Sequence, residues 1–144
     1  MMSHDMKTIA LRGIIAAGVS ALVNAGVVAV AQGIDLAPGF QALTYPPVIF
    51  LSVTGALGAA VVYALLARRN GRGTDQTFAR IAVAVLVLSF VPDVGLLVAD
   101  EAATTSGVVV LMAMHVVVAA AAVSLLTGRP VALGRLEPTT SRPR

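Results

Sequence analysis

Two ionisable side chains, Asp93 and His115, stand deep inside stretches that are otherwise almost wholly apolar. A carboxylate and an imidazole in such surroundings are the residue types that pass a proton, hold a polar ligand or pair with one another. At membrane depth, such groups turn toward a protein interior or a wet cavity. Asn24 and Ser52 join them if each apolar stretch is a helix, because the four then fall in one layer, and Ser89 joins by sharing a helix face with Asp93. We read Asn24, Ser52, Ser89, Asp93 and His115 as a candidate intramembrane polar site, with no residue assigned to catalysis. The dipeptide Pro92-Asp93 admits three roles for its acid: capping a helix segment restarted after a proline kink, pairing structurally with His115, or handling a proton or ligand.

Other chemistries lack their residues. Cysteine is absent, which excludes disulfide frameworks, thiolate metal sites and thiol-pair redox mechanisms. Asp93 and His115 have no further strong ligand to complete a metal site. A haem would need a second axial group, but His4 belongs to the opposite membrane face, and Met112 and Met114 flank His115 on the same helix. We therefore expect no cofactor. A net charge of +3 raises nucleic acid as a partner. The basic residues stand at span ends without interleaved aromatics, so membrane orientation and anionic headgroups account for them, and no nucleic acid is expected.

The elements that must position the polar residues follow from composition and charge. Only 12% of the 144 residues are charged and 58% are hydrophobic, against about a quarter charged in a soluble domain. All ten Lys and Arg residues fall in three clusters: Lys7 and Arg12; Arg68, Arg69, Arg72 and Arg80; Arg129, Arg135, Arg142 and Arg144. Each gap between clusters is wide enough for two membrane crossings, and basic residues accumulate in cytoplasmic segments. The pattern predicts an all-α, integral membrane four-helix bundle with short loops and both termini cytoplasmic. Spans are expected at about 9–31, 47–67, 78–99 and 106–127 in a domain covering 1–128, followed by a disordered basic tail, 129–144. The richness in Ala, Val, Gly and Arg is associated with GC-rich genomes, and hence with a bacterial plasma (inner) membrane.

Local signals set the expected ends. Ser3 or Asp5 can cap the first span, Thr74 or Asp75 the third, and Thr105 or Ser106 the fourth. Tyr45-Pro46-Pro47 opens the second, where first-turn amides have no partner to lose. Pro92 is expected to interrupt the third. Ala29-Val30-Ala31 imitates a signal-peptide cleavage site, but the preceding apolar stretch exceeds the usual 7 to 15 residues or so and contains Ser20 and Asn24, so the first span is read as retained.

A rise of about 1.5 Å per residue places Asn24, Asp93 and His115 about 10 to 13 Å below the external ends of their spans, with Ser52 and Thr54 about 8 to 12 Å into theirs. Ser20 shares a face with Asn24, and Ser89 with Asp93; Ser52, Ala56, Ala59 and Tyr63 line one stripe. Gly13 and Ala17, and Gly55 and Gly58, allow close approach of helices.

The order of Asn24, the stretch Leu88-Ser89-Phe90-Val91-Pro92-Asp93 and the stretch Leu111-Met112-Ala113-Met114-His115-Val116 resembles a family of small four-span bacterial membrane proteins known only as a domain of unknown function. The resemblance covers most of residues 8–127 and implies fold and location, with no activity to transfer. Small multidrug exporters differ in placing a glutamate where this chain has Asn24, and quinone-linked thiol oxidoreductases need cysteines. Three functions are expected to compete. The first is a non-catalytic accessory bundle, with the lipid bilayer around it and a homo-oligomer or membrane-complex partner. The second is a proton-linked transporter or ligand-binding protein using Asn24, Asp93 and His115. The third is a haem- or quinone-linked redox protein.

Overall fold

The computed structural model describes residues 5–128, and among these all regular structure is helical, with no strand. Four long helices, α1 (Met6–Gly33), α2 (Tyr45–Asn70), α3 (Thr74–Ala99) and α4 (Thr105–Thr127), run up and down. Short 3-10 turns at Gln41–Leu43 and Gly71–Gly73 complete the connections. Each helix is long and apolar enough to cross a membrane, so this is a multi-pass membrane protein. The expected tail, 129–144, and the capping candidate Ser3 lie outside the described residues.

The helix ends show which polar residues serve the backbone. Asp5 caps α1 by accepting from the Lys7 amide at 3.3 Å. α4 is capped by Thr104, whose Oγ1 accepts from the Gly107 amide at 3.0 Å, not by Thr105 or Ser106. The α3 N-cap is Gly73, without a side-chain bond, which corrects the expectation of Thr74 or Asp75. Both of those side chains reach across to α2 instead: Thr74 donates to the Leu66 carbonyl at 3.5 Å, and Asp75 accepts from the Tyr63 hydroxyl at 2.7 Å. Pro92 does not interrupt α3, which runs unbroken through it. Losing one backbone hydrogen bond costs less than freeing a whole turn of polar backbone among apolar neighbours.

α2 and α4 meet across the middle of the bundle, with α1 packed on one side of the pair and α3 on the other. The basic end holds Lys7, Arg12, Arg68, Arg69 and Arg72; the acidic end holds Asp35, Asp100 and Glu101. Near the acidic end Val28, Phe40, Leu43, Val48, Leu111 and Met114 form one core cluster. Ala16, Ala17 and Ala56 form a thin middle layer. There a β-carbon on Gly13 would lie 2.5 Å from the Ala60 β-carbon, so only glycine lets α1 and α2 approach this closely. Toward the basic end Ile9, Tyr63, Phe78 and Leu126 pack together, with Tyr63 and Phe78 edge to face at 5.1 Å. Arg12 closes that end by donating from Nη1 to the Leu126 carbonyl at 3.3 Å, where α4 leaves its last carbonyls without helical partners. α3 stands apart in its exposure: 6% of its most apolar window is buried, against 33%, 28% and 22% for α1, α2 and α4.

Candidate functional site

The five candidate residues separate into two clusters and one outlier. Asn24, on the buried stripe of α1, is 1% exposed and reaches two other helices. Its Nδ2 donates to Ser52 Oγ on α2 at 2.8 Å and to the Met114 carbonyl on α4 at 3.4 Å. One amide thus ties three helices together. Its Oδ1 is buried without a hydrogen-bond partner, as is Ser20 Oγ one turn earlier on the same face. Ser52 is buried because its stripe, continued by Ala56, Ala60 and Tyr63, faces the bundle, whereas Thr54 on the other side of α2 is exposed.

The second cluster lies where α3 meets α4. Asp93, buried on a mostly exposed helix, places Oδ2 3.1 Å from His115 Nδ1. The same nitrogen lies 2.9 Å from the Leu111 carbonyl, one turn back along α4. A ring nitrogen carries one hydrogen at most, and this one is aimed at Leu111. Asp93 Oδ2 therefore makes a close electrostatic contact without an aligned hydrogen bond, which is why it is both near His115 and unpartnered. The His115 side chain is 33% exposed, so the pair sits at the edge of the bundle rather than in its centre.

Ser89 is the outlier. It occupies the turn before Asp93 but donates to its own helix, to the Leu86 carbonyl at 2.7 Å. That bond takes its hydroxyl away from both the carboxylate and the Leu88 carbonyl that Pro92 leaves unpaired. Sequence reasoning had no hold on the Leu111 and Met114 carbonyls, since backbone groups leave no residue-type signal. It also missed the role of Arg12, whose place nearly two turns inside α1 was the available signal: a cation within reach of a helix C-terminus.

Chemically, the first cluster is neutral and sealed, suited to fixing helices. The second combines an acid, an imidazole and partial exposure, and can exchange a proton or accept a hydrogen bond. Among the described residues no three of His, Cys, Asp and Glu gather as metal ligands. Two surface hollows lie elsewhere. One is lined by the loop 35–41 and its flanks at the acidic end, the other by Val23, Gly26, Val30 and Ile34 on α1 with Val110.

No curated protein and no solved structure matches the chain. A family model does match, over residues 4–132, a range that contains all four helices and both polar clusters. The chain therefore belongs to the family of unknown function DUF6069.

Proposed function

We propose that the protein is a non-catalytic, multi-pass plasma-membrane bundle that associates in the membrane plane, with its own copies or within a larger complex. Its basic end, and with it both termini and the α2–α3 turn, faces the cytoplasm. The orientation rests on the segregation of Lys7, Arg12, Arg68, Arg69 and Arg72 from Asp35, Asp100 and Glu101. Association rests on one observation: Gly18 and Gly26 on α1 and Gly58 on α2 face outward, and a β-carbon at any of them would meet nothing within 4 Å. Glycine in a helix costs about 1 kcal/mol relative to alanine, and at these sites no contact with a described residue offsets the cost. Small outward notches are what close helix pairing in lipid uses. The weakly buried α3 leaves a second face open to a partner.

Native mass spectrometry from mild detergent is expected to show an oligomer or a co-purifying membrane partner, lost in the Gly18→Leu/Gly26→Leu variant. Monomer alone, with no partner in a pulldown, would sink this reading.

A second reading is favoured by the contact between Asp93 and His115. A buried acid beside a half-buried imidazole is the chemistry of a small ligand-binding or proton-linked membrane protein. It predicts that Asp93→Asn abolishes ligand binding or proton-coupled flux in proteoliposomes while the helical content stays unchanged.

A further inference from the structure

His115 has one ring nitrogen uncommitted, and the fold determines what that nitrogen can recognise. Nδ1 faces two groups that accept hydrogen bonds, the Leu111 carbonyl at 2.9 Å and Asp93 Oδ2 at 3.1 Å. A carbonyl only accepts, so Nδ1 carries the hydrogen, and a neutral ring in that tautomer offers a lone pair at Nε2. Nε2 makes no hydrogen bond to a described residue, and it is not among the sealed, unpartnered atoms of the core.

Depth restricts what can reach it. His115 lies about 15 Å along α4 from Thr105, near the middle of a hydrocarbon layer about 30 Å thick. Charged solutes and phosphate headgroups are held at the interface, far from this level. Neither surface hollow is lined by Asp93 or His115. The side chains one turn away on the same helix faces are apolar and half-buried or exposed: Phe90, Leu96 and Leu97 on α3 and Met112, Val118 and Ala119 on α4.

We infer that the α3–α4 seam is a lateral binding site for a neutral, membrane-dissolved molecule whose hydroxyl donates to His115 Nε2, a phenol or lipid alcohol on an apolar body. The inference rests on the second reading above and names its ligand class. His115 makes the contact. Asp93 is a positioning residue: its oxygen beside Nδ1 supports electrostatically the tautomer that the Leu111 carbonyl sets, which leaves Nε2 free to accept. An asparagine there could donate to Nδ1 and release the other tautomer, which would shift the site's preference from hydroxyl donors toward acceptors.

The test uses the full chain in lipid nanodiscs with nitrogen-labelled histidine, para-octylphenol as probe and its methyl ether as the matched molecule lacking a donor. The phenol is expected to shift the Nε2 resonance and to bind roughly tenfold tighter than the ether, the scale of one hydrogen bond made away from water. His115→Phe should erase the difference, and Asp93→Asn should erase it too while changing the tautomer signature of the ring. Equal binding of phenol and ether to the unaltered chain would overturn the inference without any variant having to fold. If neither lipophile acts but acid or a water-soluble solute moves the Nε2 resonance, the lateral site is wrong and the second reading stands. An Nε2 resonance that responds to nothing would remove both.

Discussion

Gly13 offers the most exacting check on the packing, because the geometry fixes both the direction and the scale of the effect. In Gly13→Ala the new β-carbon would start 2.5 Å from the Ala60 β-carbon. Saturated carbons rest at about 3.5 to 4.0 Å, so a gap of at least about 1 Å must open. Neither carbon is the end of a flexible side chain; each is fixed to its backbone, so α1 and α2 themselves must separate. That movement also loosens the adjoining layer of Ala16, Ala17 and Ala56. Overpacking of this kind costs about 1 to 3 kcal/mol, and the gain in helix propensity returns about 1 kcal/mol. The expected net change is a loss of up to about 2 kcal/mol, against the gain expected where a β-carbon has room. It can be measured by reversible unfolding in mixed dodecyl maltoside and SDS micelles, followed by far-ultraviolet circular dichroism. Ala60→Gly in the same chain removes the opposing carbon, so the double variant should recover much of the loss, with a coupling of roughly 1 kcal/mol. Gly18→Ala is the control: its β-carbon meets nothing within 4 Å, and the propensity gain should raise stability by up to about 1 kcal/mol. A Gly13→Ala chain stabilised as much as Gly18→Ala, or a double variant no better than the sum of its parts, would refute the close crossing of α1 and α2.

Other expectations follow from single contacts. Asn24→Ala breaks the bonds to Ser52 and Met114 and should cost about 1 to 2 kcal/mol in the same micelle assay, toward the upper range for polar contacts between membrane helices. Tyr63→Phe keeps the edge-to-face contact with Phe78 but loses the 2.7 Å bond to Asp75, for an expected loss of about 1 kcal/mol. Because the chain has no cysteine, single cysteines can report orientation. In intact cells a membrane-impermeant maleimide should label Gln41→Cys and spare Gln76→Cys, and the opposite result would invert the proposed topology.

The four helices were legible in the sequence because two signals agreed: apolar runs long enough to cross a bilayer, and basic residues confined to their ends. The caps were legible only as neighbourhoods. Thr104, Thr105 and Ser106 all carry the right hydroxyl, and the choice of Thr104 depends on where the chain leaves the Asp100 turn. Thr74 and Asp75 look like caps by type, but the tight Gly71–Gly73 turn brings α2 within their reach, where Leu66 and Tyr63 offer them partners. Pro92 departs from its expected role for a related reason. Its effect on a helix is set by what surrounds the freed carbonyl, and an apolar environment favours continuing the helix over exposing a further turn. Ser89 shows the limit of stripe reasoning: spacing puts it on the side of Asp93, but a serine hydroxyl can always turn back to its own helix, as it does toward Leu86.

The polar layer shows which coordinate a sequence carries. Depth along a helix follows from a fixed rise, so residues on four spans can be assigned to one level from their positions in the chain alone. Direction between helices has no such rule, because it depends on how each span is rotated against its neighbours. The layer accordingly divides at α4. Asn24 and Ser52 meet the backbone of α4 at Met114, while Asp93 meets His115, whose own nitrogen is held at Leu111. The two carbonyls are three residues apart on one turn of the same helix. Any rotation of that turn that improves one set of contacts must alter the other. Asn24 and His115 thus meet adjacent points of one helix: the amide donates to the Met114 carbonyl, and the next residue carries the imidazole that contacts Asp93. The sealed cluster and the exposed pair are in this sense one arrangement, with α4 as the part they share.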